Sequence, residues 1–151
     1  MELSKRKIKK KEICLREAIQ EIISRSRVRK EIKVINRVPG DIYINADPGR
    51  FRRLMQNLIK NAAQAIIKEG EIQIKAVRNS ETYISIKDNG TGMDKETEKN
   101  IYEPLYTTKE TGMGLGMSII KDIIDKHDWE LKLKSEKGKG TEFIIKIDEE
   151  K

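Results

Sequence analysis

The sequence predicts an α+β two-layer sandwich, a mixed β-sheet of about five strands packed against about three helices. Two observations carry this prediction. Some segments repeat apolar residues at helical spacing, whereas others alternate apolar and polar residues with period two. Their order mixes hairpins with helices, which gathers the helices on one face of the sheet. The length agrees, because 151 residues fit one domain. A chain of that length buries roughly 70% of its unfolded surface, enough for one core.

Residues 1–11 read as a linker or the end of a preceding helical domain, and residues 12–151 as the folded domain. A short strand is expected over 12–15. Leu15, Ala18, Ile19, Ile22 and Ile23 then mark an amphipathic helix over roughly 15–26. Ile32, Val34 and Asn36 alternate as a strand. Pro39-Gly40-Asp41 is a turn, and residues 42–46 form the next strand. Asp47-Pro48 opens a long helix, since Asp accepts from free N–H groups at a helix start and Pro loses nothing in the first turn. Phe51, Leu54, Met55, Leu58, Ile59, Ala62, Ala65 and Ile66 supply its apolar face, and Gly70 marks its expected end. Residues 72–77 and 83–87 alternate in period two around Asn79-Ser80, a hairpin pattern. Residues 89–112 hold many Gly and Thr and are too long for an ordinary connection, so a functional lid is expected. A third helix is expected over 113–126, followed by strands over 129–135 and 141–147.

Composition narrows the function. Hydrophobic residues are 36% and charged residues 38%, polar for a folded domain but too rich in Ile for a disordered one. The single cysteine, Cys14, cannot form an internal disulfide, so a reducing, cytoplasmic setting is expected. No run approaches the ~18 apolar residues of a membrane helix, and direct membrane insertion by this segment is not expected. The net charge is +7, with clusters at Lys5–Lys11 and Arg25–Lys30. No helix-turn-helix, zinc or aromatic RNA-binding signature accompanies it, so the charge reads as a solvated face and no nucleic-acid partner is expected.

Three clusters bear chemistry. Asn57 and Asn61 are four apart and share one face of the long helix. Their amide oxygens suit magnesium, which takes few protein ligands and keeps water and phosphate oxygens. Asp88-Asn89-Gly90-Thr91-Gly92-Met93 leaves a strand. A carboxylate there can accept from the exocyclic amine of adenine, and the glycines admit close backbone approach. Gly112-Met113-Gly114-Leu115-Gly116-Met117 enters a helix, where free N–H groups and the dipole favour phosphate. It is neither a Walker loop nor a Rossmann spacing.

In this order the three clusters resemble the N, G1 and G2 boxes of the Bergerat-fold family that includes gyrase, Hsp90, MutL and the sensor histidine kinases. Tyr102-Glu103-Pro104-Leu105-Tyr106-Thr107-Thr108-Lys109 is similar to the histidine-kinase F box, with Tyr and Leu where Phe is usual. Gly138-Lys139-Gly140-Thr141-Glu142-Phe143 is similar to the closing Gly-x-Gly-Thr motif, and Asp47-Pro48-Gly49-Arg50 to the usual start of the N-box helix. His127-Asp128-Trp129 stands where the family often has His-Gly-Gly, so a different backbone path is expected there.

The resemblance implies a Bergerat ATP-binding fold and the ATP-binding catalytic domain of a two-component sensor histidine kinase. It implies Mg2+ bridged mainly by Asn61, adenine met by Asp88, and phosphates cradled by the backbone of Gly112, Met113, Gly114, Leu115, Gly116 and Met117. It also implies a γ-phosphate contact from Lys109. Gly90, Gly92, Met93, Ile101, Tyr106, Thr107, Thr108 and Thr141 complete the ATP site. Family ATPases carry a water-activating Glu where this chain has Asn57, and an amide is no general base. Phosphoryl transfer to an imidazole is therefore implied, with Asn57 orienting a magnesium water or that imidazole. His127, the single histidine, lies outside the hairpin that normally carries the acceptor and reads as structural. The implied partners are the dimerisation and phosphoacceptor domain of the same kinase and a response regulator, and the isolated chain is expected to be inactive. An anti-sigma-type serine protein kinase and a non-catalytic nucleotide-sensing module are the alternative readings.

Overall fold

The computed structural model describes residues 7–101 and 114–148. Seven strands and four helices appear among them: β1 (Lys11–Cys14), α1 (Leu15–Arg25), β2 (Ile32–Arg37), β3 (Tyr43–Ala46), α2 (Pro48–Gln64), β4 (Gly70–Arg78), β5 (Thr82–Asp88), α3 (Lys95–Asn100), α4 (Gly114–Lys126), β6 (Glu130–Glu136) and β7 (Gly140–Ile147). A five-stranded sheet runs β2-β4-β5-β7-β6. Only β2 and β4 pair in parallel within it, so the sheet is mixed, as the sequence predicts. β1 and β3 form a separate antiparallel pair.

Alternation decides which face is covered. Ile72 and Ile74 on β4, Ile84 and Ile86 on β5, and Phe143 and Ile145 on β7 are all buried. They join Leu15 and Ile19 of α1, Phe51, Leu54 and Leu58 of α2, and Ile120 and Ile124 of α4 in one apolar cluster. The other face carries Lys75, Lys87 and Lys132 in water. Each fully buried Leu, Ile or Phe contributes about 1.5–3 kcal/mol to this layer contact.

Asp47 caps α2 as its sequence implies, its Oδ1 accepting from the Arg50 N–H at 3.2 Å. Burial opposes the charge of Asp47, but the Lys9 and Arg50 backbone N–H groups and the Arg50 guanidinium outweigh it and hold the carboxyl below its usual range. The other end of α2 departs from expectation, because the helix stops at Gln64 rather than near Gly70. Long-range partners take the carbonyls of the residues that follow it. Thr91 N–H donates to the Ala65 carbonyl at 2.9 Å. The Arg29 guanidinium donates to those of Ile66 and Lys68 at 2.8 and 3.0 Å. A second departure is α3, a short helix inside the segment read as lid; Asp94 caps it by accepting from Thr97 N–H at 2.8 Å.

α4 ends in a Schellman turn. Trp129 N–H bonds the Ile124 carbonyl, Asp128 N–H bonds that of Asp125, and Asp128 lies at φ 57°. The chain thus follows a path natural to glycine with an aspartate in place. Asp128→Gly is expected to raise stability by roughly 0.5–1 kcal/mol, since a left-handed non-glycine residue is strained. Urea unfolding measures this, and an unchanged or lower midpoint would contradict it.

Candidate nucleotide site

α2 carries the first two site residues and fixes their amides. Asn57 Nδ2 donates to the Arg53 carbonyl at 2.8 Å. Asn61, only 6% exposed, turns its Nδ2 to Met117 Sδ at 3.6 Å. With both nitrogens occupied, both oxygens face the first turn of α4. A Cβ on Gly116 would lie 3.4 Å from Asn57 Oδ1 and 3.6 Å from Asn61 Oδ1. The structure therefore joins the Asn pair to Gly116, across more than fifty residues of chain.

Asp88 ends β5 on the covered face of the sheet and is 4% exposed. Its Oδ1 accepts from Gly90 N–H at 2.8 Å. Burial pushes its carboxyl above the usual range, and the Gly90 and Thr141 backbone N–H groups pull it only partly back. No ion pair to Asp88 occurs among the described residues. A buried carboxylate without a cation partner is suited to a ligand's N–H donor.

The glycines after Asp88 face protein rather than open space. A Cβ on Gly90 would come 2.4 Å from the Ala65 carbonyl oxygen, and one on Gly92 would come 2.1 Å from that of Glu136. A Cβ on Gly140 would come 2.1 Å from the Asp88 carbonyl oxygen. These glycines let the Asp88 loop, the end of α2 and the β6–β7 turn press backbone to backbone. The loop is thereby held one helical turn beyond Asn61.

Ser135 is a site residue that sequence reasoning missed. Its Oγ accepts from Met93 N–H at 2.8 Å and lies 2.8 Å from Thr141 Oγ1. It thereby fixes two predicted site residues, Met93 and Thr141, from β6. Ser135 continues the half-buried phase of Leu131 and Leu133 along β6, but no motif marks it. Met93, Ile101 and Met117 are all buried in the core cluster. Gly114 and Leu115 belong to α4. Tyr106, Thr107, Thr108, Lys109, Gly112 and Met113 lie outside the described residues, as do residues 102–112 of the expected lid.

His127 is 2% exposed and both ring nitrogens are engaged. Nδ1 donates to the Ile123 carbonyl at 2.9 Å, and Nε2 accepts from Asp47 N–H at 3.1 Å. The ring also packs on Trp129 at 4.2 Å between centroids. This joins the end of α4 to the cap of α2 and leaves no nitrogen to accept a phosphoryl group. Burial pushes the His127 pKa below its ordinary 6.5, and the Ile123 carbonyl pulls it only partly back. A depressed folded pKa means the contribution is fully present above about 6.5 and is lost as pH falls below it. His127→Phe keeps the stack but leaves Asp47 N–H unpaired. It is expected to lower stability by roughly 1–3 kcal/mol at pH 8 and to flatten the loss as pH falls below about 6.5. Urea titrations at several pH values measure both, and an unchanged slope would contradict it.

Among the described residues no group of three or more His, Cys, Asp or Glu could hold a metal ion. A cation here would need ligand oxygens besides the Asn57 and Asn61 amides, and two oxygens with fixed direction fit magnesium held jointly with phosphate. No helix of the described residues is long and apolar enough to cross a membrane.

Comparison with known proteins adds the family. The sequence model described as "Histidine kinase-, DNA gyrase B-, and HSP90-like ATPase" matches residues 46–151. Sporulation kinase C of Bacillus subtilis is 44% identical over 103 residues, covering 68% of this chain and 24% of that protein. Sensor histidine kinase YclK of the same organism is 32% identical over 139 residues, covering 87% of this chain and 29% of that protein. The chain thus spans less than a third of the length of either relative. Among solved structures, the nucleotide-free catalytic domain of histidine kinase ThkA superposes with a TM-score of 0.81 at 28% identity, covering 94% of this chain and 97% of that one.

Proposed function

Since the chain belongs to the histidine kinase-, DNA gyrase B- and HSP90-like ATPase family, we propose that it is the ATP-binding catalytic domain of a sensor kinase. It transfers the γ-phosphate of ATP to a histidine on a separate dimerisation domain. The observation that carries this reading is the convergence of the Asn57 and Asn61 oxygens on Gly116 at the first turn of α4.

Asp88 accepts from the adenine amine, and the buried Met93 and Ile101 line the side of the ring. Thr141, held by Ser135, sits beside Asp88 in the sheet register. The first turn of α4 offers its N–H groups and dipole to the phosphates. Asn61 and Asn57 present oxygens where those phosphates arrive. Bound Mg2+ would supply neutralisation of phosphate charge. Lys109, carried by the F-box-like segment, meets the γ-phosphate. Asn57 cannot take a proton from water, so the site positions an external nucleophile rather than activating water. A neutral imidazole is such a nucleophile. Its source is the helical phosphoacceptor domain of the same kinase, and the phosphate then passes to a response regulator. The relatives are named as sporulation and sensor histidine kinases, which favours histidine over serine as acceptor.

The test supplies a helical phosphoacceptor hairpin in trans with γ-labelled ATP. Label that appears only with the hairpin, is lost in acid and survives alkali is the expected result. Acid-stable label would indicate a serine acceptor, and label on the isolated chain at His127 would overturn the structural role of that residue.

A further inference from the structure

A groove of about 750 Å3 lies away from the Asn57–Gly116 contact, between the segment that leaves α1 and the second half of α2. Its floor is apolar, formed by Val28, Ile32, Ile59 and Ile66. Ile67 stands at its rim 74% exposed, the most exposed large hydrophobic residue among those described. Gln56, Ile59, Lys60 and Ala63 turn to this groove, on a different side of α2 from Asn57 and Asn61.

The rim is basic and carries no acid. Arg25, Arg27, Arg29 and Lys60 line it, and no Asp or Glu does. Arg29 is committed to the carbonyls of Ile66, Ile67 and Lys68 and to Glu31. Among the described residues Arg25, Arg27 and Lys60 enter no ion pair. Three available cations thus surround a recessed apolar floor large enough for a few side chains.

We propose that this groove docks an acidic amphipathic segment of a partner protein, with apolar side chains against Ile32, Ile59, Ile66 and Ile67 and carboxylates against Arg25, Arg27 and Lys60. Charge complementarity selects the acid and the recessed floor selects the apolar anchor. A nucleic acid would meet the cations but leave the floor and Ile67 unfilled. An anionic bilayer needs a broad protruding apolar surface, whereas here Ile67 alone stands out and Ile32, Ile59 and Ile66 are recessed. The docked segment would lie along the helix that carries Asn57 and Asn61, but the proposal stands independently of the nucleotide reading.

The probe is a labelled helical peptide with leucines at i, i+3, i+4 and i+7 flanked by glutamates, titrated into the full chain by fluorescence anisotropy. Saturable binding is expected, roughly tenfold weaker for the same peptide with Gln for Glu and for the Arg27→Glu, Lys60→Glu double variant. Isoleucine methyl spectra of the unaltered chain give a readout that no variant's folding can confuse. The methyls of Ile32, Ile59, Ile66 and Ile67 should shift while Ile144, on the open face of the sheet, should not. Absent binding, equal affinity for the Glu and Gln peptides, or shifts confined to other methyls would overturn the proposal. Displacement of the peptide by single-stranded DNA or phosphatidylglycerol vesicles would reassign the groove and overturn it equally.

Discussion

Asp88→Asn is expected to weaken ATP binding roughly ten- to a hundredfold, the worth of one charge-assisted hydrogen bond in a buried site. The fold should survive it. Asn Oδ1 can still accept from Gly90 N–H, the bond that Asp88 makes at 2.8 Å. Because burial raises the folded pKa of Asp88, its ionised form opposes folding, and that penalty is absent at low pH and grows as pH rises through the folded value. The asparagine variant carries no such penalty, so its stability at neutral pH should equal or exceed that of the parent. Calorimetry with ATP and urea unfolding at pH 7.5 separate the two effects. Undiminished affinity would remove Asp88 from the site, and a collapse in stability would make its role structural.

Gly140→Ala should be the most damaging single methyl added to the site. The residue lies at φ 130°, and a Cβ there would sit 2.1 Å from the Asp88 carbonyl oxygen and 3.0 Å from Asn89 Cα. Backbone cannot move aside as a side-chain tip can, so strain and overpacking act together. A loss of about 2–4 kcal/mol is expected. ATP affinity should fall as well, because Asp88 and Thr141 are displaced with the loop. Gly138→Ala is the internal control. Gly138 also has positive φ, at 87°, but nothing lies within 4 Å of its missing Cβ. It should cost about 1–2 kcal/mol of backbone strain and leave binding intact. Equal losses at the two positions would show that the backbone contact to Asp88 is unimportant.

Residues whose role is set locally were legible in the sequence. The apolar spacing of α2 and its Asp47-Pro48 start lie within a few turns of chain, as does the period-two alternation of β4 and β5. The layer architecture followed from these. What sequence could not show was decided across distance. Thr91 and Arg29 take the carbonyls of Ala65 and Ile66, just past α2, and hold the chain there out of the helix. Among the described residues β1 and β3 pair with each other and not with the main sheet, a choice that alternation alone cannot make.

The candidate site divides in the same way. Asn57, Asn61, Asp88 and the glycines were readable as types that suit a nucleotide. The meaning of Gly90, Gly92 and Gly140 depended on which backbone lies opposite each, and it is protein backbone in all three cases. Ser135 has no motif, and only its contacts with Met93 and Thr141 identify it. For His127 the sequence suggested a structural residue. Its tie to the Asp47 cap required the antiparallel approach of α4 to α2.

The most direct measurement follows the side-chain amide resonances of Asn57 and Asn61 in the full chain during a titration with ATP and magnesium, with GTP as the competing nucleotide. Shifts of both amides, together with the backbone amides of Asp88, Gly90, Gly116 and Thr141 at one saturation midpoint, are the predicted result, and GTP should compete poorly because its ring presents a carbonyl where adenine has an amine. ATP saturation that leaves Asn57 and Asn61 unmoved, or equal midpoints for ATP and GTP, would contradict a single adenine-nucleotide site built from these residues.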